Sequence, residues 1–223
     1  MSAIDLPPVI GVILAGGMSR RMFPGSAPGV ANDKGLLRLG QDSMLEHVIR
    51  RLRPQVRELV LNANGDPARF APFGLPVVAD PIEGYAGPLA GVLAGLQWAH
   101  AHAPEATHIV TASSDAPFVP GDLVAKLYAV AASNPLGIVL ARSGDGLHPV
   151  IGCWPTLHAD DLDGELRRGV RKVLHWTDRH GTHAVDFAPI SIGDQRVDPF
   201  FNANTPDDLT EARRLIALLE ARP

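Results

Sequence analysis

Short apolar runs alternate along this chain with longer stretches of helical period, the pattern of a mostly parallel sheet covered by helices. The runs fall at Val9–Leu14, Glu58–Asn62, 77–79, 108–112, 137–141 and 149–153. Helices are predicted between most of them. In "SMLEHVIRRLR", residues 43–53, Leu45, Val48, Ile49 and Leu52 share one face and Ser43 stands as N-cap. Residues 88–103 repeat the device with Leu89, Val92, Leu93 and Leu96. A last helix starts where Thr205 caps, Pro206 fits the first turn, and Asp207 and Asp208 sit at the positive end of the dipole. Its expected buried stripe is Leu209, Ala212, Ile216 and Leu219.

The second half is less regular, and "ARSGDGLHP" reads as a hairpin with its tip at Gly144 to Gly146. The expected fold is therefore α/β and Rossmann-like, mainly parallel with a mixed-sheet C-terminal half, in one domain over residues 1–223.

Composition narrows the function. With 223 residues and a formal charge of −4, the chain can bury a full core and lacks the basic balance of a nucleic-acid binder. Cys153 is the lone cysteine, so neither an intrachain disulfide nor a cysteine-based zinc site is available. The first apolar stretch has no basic residues before it and is too short for a signal core or a membrane span. A cytoplasmic protein without membrane contact is expected.

Chemistry enters at "VILAGGMSRRM", residues 12–22. A glycine turn leaving a buried strand brings bare N–H groups near a ligand, and adjacent guanidinium groups add positive charge, a combination suited to phosphate. The stretch matches neither the P-loop nor the G-x-G-x-x-G pattern, and paired glycines also serve simple tight turns beside solvated arginines.

Ligands of open α/β sheets bind outside the carboxyl ends of strands, which makes the residues following each strand one set. These are Ala15, Gly16, Gly17, Arg20 and Arg21; then Asn62 and Asn64; then Asp80; and then Asp115 in "TASSDAPFVP". Asp115, flanked by Pro117 and Pro120, suits Mg²⁺ completed by phosphate oxygens and water, or else caps a following helix. Lys34 in "NDKGLLRLG" suits a triphosphate, or a solvated loop. Asp80 precedes Pro81 and suits a base edge, a ribose or a plain turn. Residues 23–32 between them read as a surface loop that either closes over the site or is a tolerated insertion. Arg167, Arg168, Arg171 and Lys172 in "ELRRGVRKVLHW" read as one helical segment, either holding a second anion or forming a solvated basic face. His148 either lines an acceptor pocket or merely starts a strand.

With these residues in view, the chain resembles the molybdenum cofactor guanylyltransferases of MobA type. The resemblance runs in order through "VILAGGMSRRM", "DKGLLRL", "VLNAN", "GPLAG", "SSDAPFVP", "HPVI", "HAVDF" and "FFNANTPDDL". It implies GTP binding at Leu14, Ala15, Gly16, Lys34, Asn62, Asp80 and Asp115, with Mg²⁺ on Asp115. Asn202 and Asn204 are implied on the molybdopterin side. GTP and molybdopterin are the implied substrates, with proteins that deliver molybdopterin and mature molybdoenzymes as implied partners. Arg20, Arg21, Lys34 and the Gly16–Gly17 amides are expected to neutralise the developing phosphate charge.

Two departures stand out. Ten residues, 23–32, replace the family's short glycine pair, and Ser114-Asp115-Ala116-Pro117 replaces the frequent Cys-Asp-Thr-Pro. Other readings are a cytidylyltransferase or nucleotide-sugar transferase of the same fold, and a non-catalytic nucleotide-binding regulator.

Overall fold

Both faces of the central strands are apolar, and each face carries its own helices. The computed structural model describes residues 6–16, 22, 33–84, 87–144 and 146–221. Strand β1 (Val9–Leu14) is followed by the short ribbon β2 (Arg38–Leu39) and β3 (Asp42–Ser43), helix α1 (Met44–Leu52), β4 (Glu58–Asn62) and β5 (Val77–Val78). Then come α2 (Pro88–His102), β6 (His108–Ser113), α3 (Leu123–Ser133), β7 (Ile138–Ser143) and β8 (Gly146–Pro155). The chain finishes with α4 (Ala159–Arg167), α5 (Val173–Thr177), β9 (Thr182–Asp186), the ribbon β10 (Ile190–Ile192) and β11 (Gln195–Val197), and α6 (Pro206–Glu220).

The main sheet has the order β5-β4-β1-β6-β8-β7-β9. Strands β5, β4, β1 and β6 run parallel, and β8 enters antiparallel to both β6 and β7. The α/β fold class, with a mainly parallel half joined to a mixed half, is thus present. Residues 143 and 146 close the β7–β8 hairpin where the glycines place its tip.

Alternation along β1 sorts side chains between the two layers, as a pleated strand requires. Val9 and Ile13 pack with Leu45, Val48 and Leu52 of α1 and Val124 and Leu127 of α3. Ile10 and Val12 pack with Leu89, Val92, Leu93 and Leu96 of α2 and Leu162 and Leu166 of α4. A third cluster joins α6, through Leu209, Ala212, Leu215 and Ile216, to Leu39, Phe118, Ile192 and Val197. Leu219 of the expected α6 stripe is partly buried at its edge.

The predicted caps form. Ser43 Oγ accepts the Glu46 N–H at 3.2 Å and Glu46 returns a carboxylate oxygen to the Ser43 N–H, a reciprocal pair contributing about 1 kcal/mol. At α6, Thr205 Oγ1 accepts the Asp208 N–H at 3.1 Å, and Asp208 accepts from the Thr205 and Asn204 amides. That second box fixes the backbone of Asn204.

The basic stretch departs from its expected single helix. Gly169, at φ 94°, turns the chain between α4 and α5, a conformation side chains with a Cβ rarely adopt. Arg167 pairs with Asp163, Arg168 with Glu165, and Arg171 donates to the Leu166 and Val170 carbonyls. Three of the four cations are thus engaged within their own segment rather than gathered for an anion. Among the described residues, no helix is long and apolar enough to cross a membrane.

Burial also predicts how the fold responds to acid. Desolvation holds the imidazoles of His108 and His158 below their ordinary range, with a neighbouring His158 acting in the same direction on His108. Below about pH 6.5 the unfolded chain therefore binds protons that the folded chain resists, so stability falls with pH in that window. Above it the penalty is absent. His108→Phe should flatten the decline, which urea midpoints between about pH 7 and pH 5 would show. An unchanged slope in the variant would remove His108 from the effect.

Candidate active site

The functional side chains meet at the carboxyl ends of β1, β4, β5 and β6, where parallel strands leave their loops. Two clusters form there. In the first, Asn62 Nδ2 donates to the Val78 carbonyl at 3.2 Å and to Asp80 Oδ1 at 2.9 Å. Asn64 Nδ2 donates to Asp80 Oδ2 at 2.7 Å, and Asn64 Oδ1 accepts the Asp80 N–H at 2.8 Å. Both hydrogens of the Asn62 amide are committed, so its Oδ1 is fixed as an acceptor.

That oxygen lies between two glycines. A Cβ built on Gly91 would stand 2.3 Å from Asn62 Oδ1, and one on Gly16 would stand 3.8 Å from it. Ala15 donates its N–H to the Asn62 carbonyl at 2.8 Å, and the Leu14 carbonyl accepts the Ser114 N–H at 3.1 Å. The glycine turn is thereby tied to both neighbouring strands.

In the second cluster, the Lys34 ammonium pairs with Asp115 Oδ2 and donates to Asn204 Oδ1 at 2.7 Å. Ser113 Oγ donates to the other carboxylate oxygen, Oδ1. The Ala203 N–H donates to the Asp115 carbonyl at 3.1 Å. Asp115 is 7% exposed, so its charge is compensated by Lys34 rather than by bulk water. Asn202 Oδ1 is buried without a hydrogen-bond partner among the described residues. An unpaired buried acceptor of this kind costs roughly 1–3 kcal/mol until a donor arrives.

Among the described residues no group of three His, Cys, Asp or Glu could enclose a metal. A single rigid carboxylate at a phosphate edge fits an ion that keeps substrate oxygens and water in its shell, as Mg²⁺ does.

Comparison with known proteins shows the family to which this strand edge belongs. A family model described as "MobA-like NTP transferase domain" matches residues 11–183. The chain belongs to this family. A molybdenum cofactor guanylyltransferase from Rhodopseudomonas palustris (strain BisB5) is 47% identical over 223 residues, covering 100% of both chains. Molybdopterin-guanine dinucleotide biosynthesis protein A from Archaeoglobus fulgidus superposes with a TM-score of 0.68 at 22% identity, over 93% of this chain and 98% of its own. A Mycobacterium tuberculosis H37Rv protein crystallised in complex with manganese superposes with a TM-score of 0.62 at 22% identity, over 94% and 99%. Those two structures show the fold. As a member of the MobA-like family with full-length curated relatives, the protein is a nucleotidyltransferase.

Of the residues expected at this family's site, Leu14, Ala15, Gly16, Asn62 and Asp80 gather in the first cluster. Lys34, Asp115, Asn202 and Asn204 lie along the second and the segment that completes it. Gly17, Arg20 and Arg21, and the expected loop at 23–32, lie outside the described residues.

The structure adds three contributors that strand-end reasoning leaves out. Gly91 makes room for Asn62 Oδ1 from the facing helix α2. Ser113 holds the second oxygen of Asp115. Arg69 donates to the Asn64 carbonyl at 2.6 Å and pairs with Asp33, next to Lys34, joining the two clusters. The "GPLAG" motif carried a signal for Gly91. Arg69 stands in a stretch with no recognisable pattern.

Proposed function

We propose that this protein transfers GMP from GTP to the terminal phosphate of molybdopterin, yielding molybdopterin guanine dinucleotide and pyrophosphate. The observation that carries this reading is identity of 47% over the full length to a curated relative of that activity. The site chemistry agrees with it. Asn62 Oδ1 and the Asp80 carboxylate are acceptors suited to ribose hydroxyls and base N–H groups, and Lys34 suits phosphate oxygens.

The reaction forms a bond from an acceptor phosphate oxygen to the α-phosphorus and breaks the bond to the β-phosphate, which leaves as pyrophosphate with the electron pair. A phosphate monoester with a second pKa of about 6 is largely dianionic at neutral pH and needs no general base. The residues therefore act by position and charge. Asp115, with Oδ1 held by Ser113, would hold Mg²⁺, which when bound neutralises charge on the transferring phosphate. Lys34, already bridging Asp115 and Asn204, is assigned to the α-phosphate. The Gly16 and Gly17 amides with Arg20 and Arg21 are assigned to the remaining triphosphate oxygens. Asn202 Oδ1 is assigned to a donor of molybdopterin. The whole chain is read as one domain, its N-terminal half for GTP and its C-terminal half for the acceptor, working in the cytoplasm with proteins that deliver molybdopterin and receive the product.

The test is incubation of the protein with molybdopterin, Mg²⁺ and either GTP or CTP, with product and pyrophosphate measured. Product from GTP alone is expected. Product from CTP alone would replace the reading by the cytidylyl one, and nucleotide binding without product would replace it by a regulatory one.

A further inference from the structure

The β7–β8 hairpin carries a hydrogen-bonded relay that the transfer chemistry leaves unused. Ser143 is buried, and its Oγ lies 2.6 Å from His148 Nε2 and 2.8 and 2.7 Å from the two carboxylate oxygens of Asp198. Asp198 Oδ1 also accepts the Phe200 N–H at 2.8 Å, and the Phe200 ring packs against the imidazole with centroids 4.7 Å apart. The geometry settles the direction of the relay. A carboxylate only accepts, so the Ser143 hydroxyl spends its one proton on Asp198 and receives Nε2–H from His148. In the neutral ring the proton then sits on Nε2, and Nδ1 carries a lone pair. Among the described residues, the one hydrogen bond to the ring is that at Nε2.

The fold places the ring on one side of the sheet edge. β8 flanks β6 on the side opposite β1, β4 and β5. Asn62 and Asp80 take the nucleotide on the β1–β4–β5 side of Asp115. Asp198 opens the segment whose Ala203 N–H reaches the Asp115 carbonyl and whose Asn204 accepts from Lys34. His148 therefore belongs to the acceptor side of the same edge.

We propose that Asp198 and Ser143 are positioning residues that hold His148 as the Nε2–H tautomer, so that Nδ1 accepts a hydrogen bond from an N–H or O–H donor on the organic part of the acceptor. This rests on the guanylyl-transfer reading for the identity of that acceptor. A lone pair at Nδ1 disfavours phosphate oxygens and favours donors, so His148 selects the heterocyclic portion of the phosphomonoester rather than its phosphate. Desolvation of the ring acts in the same sense by favouring the neutral imidazole, against the opposing pull of Asp198.

Nitrogen-15 NMR of the histidine-labelled protein reads the tautomer directly, and equilibrium binding of molybdopterin and of GTP reads the consequence. Wild type should show Nε2 protonated. In Asp198→Asn the carboxamide donates to Ser143 Oγ, the hydroxyl proton turns to Nε2, and Nδ1 becomes protonated, as a triad carboxylate-to-amide change inverts its histidine. Molybdopterin should then bind about tenfold more weakly, the loss of one hydrogen bond, with GTP affinity unchanged. Ser143→Ala and His148→Ala should weaken molybdopterin similarly. His148→Asn, whose amide oxygen replaces Nδ1, should bind as wild type does. Nδ1 protonation in wild type, molybdopterin affinity unchanged in Asp198→Asn, or parallel loss of GTP affinity would each overturn the proposal. Turnover with GTP, measured on wild type alone, tests the guanylyl-transfer reading separately, because neither the tautomer nor the binding constants depend on it.

Discussion

Asp115→Asn should lower kcat/KM for nucleotide transfer roughly a thousand-fold, the scale of losing a charge-stabilising group at a developing phosphate charge. The change keeps the shape of the side chain and the Asp115 carbonyl that accepts from Ala203. What it removes is the negative charge that pairs with Lys34 and that would hold the metal. Lys34 keeps Asn204 as partner, so the cluster stays assembled around a weaker centre. The midpoint of thermal unfolding should fall by about 5–15 °C, because Lys34 loses its buried counter-charge and keeps Asn204. Single-turnover product formation alongside a melting curve checks both halves. Activity within tenfold of wild type would show that Asp115 does not carry the charge stabilisation.

Gly91→Ala should weaken GTP binding at least about tenfold without unfolding the protein. Within a helix this substitution ordinarily stabilises by roughly 0.5–1 kcal/mol, because glycine loses more freedom on folding than alanine. Here the new methyl would stand 2.3 Å from Asn62 Oδ1 and 2.9 Å from Leu14 Cδ2. The Asn62 amide must swing away, and its bonds to Val78 and Asp80 break with it. The loss therefore falls on nucleotide affinity far more than on the fold. Calorimetric titration with GTP and an unfolding curve separate the two. Unaltered GTP affinity would show that Asn62 does not contact the nucleotide.

These two residues also mark where sequence reasoning succeeds and stops. The place of Asp115 at the sheet edge is legible because a strongly apolar strand ends just before it. The limits of β1 and β4 and the starts of α1 and α6 are legible for a similar reason, since runs of apolar residues, Ser43 and Thr205 each act locally. Gly91 was visible only as part of a motif. Its purpose depends on Asn62, which lies on a different element, and no local pattern reports which side chain a distant glycine accommodates. The basic stretch misled because Gly169 interrupts a charge pattern that otherwise reads as continuous. Ser143 and His148 share the one predicted hairpin, but Asp198 stands 55 positions beyond Ser143, and no local pattern ties it to them.

Lys34, Asp115 and Asn204 come from near the beginning, the middle and near the end of the chain, separated by 81 and 170 positions. Contacts of such span form late, because closing long loops costs entropy before any contact rewards it. On a translating ribosome the β1–β4–β5 edge emerges first, while the lysine still lacks its asparagine. The Lys34–Asn204 bond forms only once the segment carrying Asn204 and the start of α6 have left the exit tunnel. A chain ending before that segment would leave Lys34 without its asparagine and the Asp115 carbonyl without the Ala203 amide.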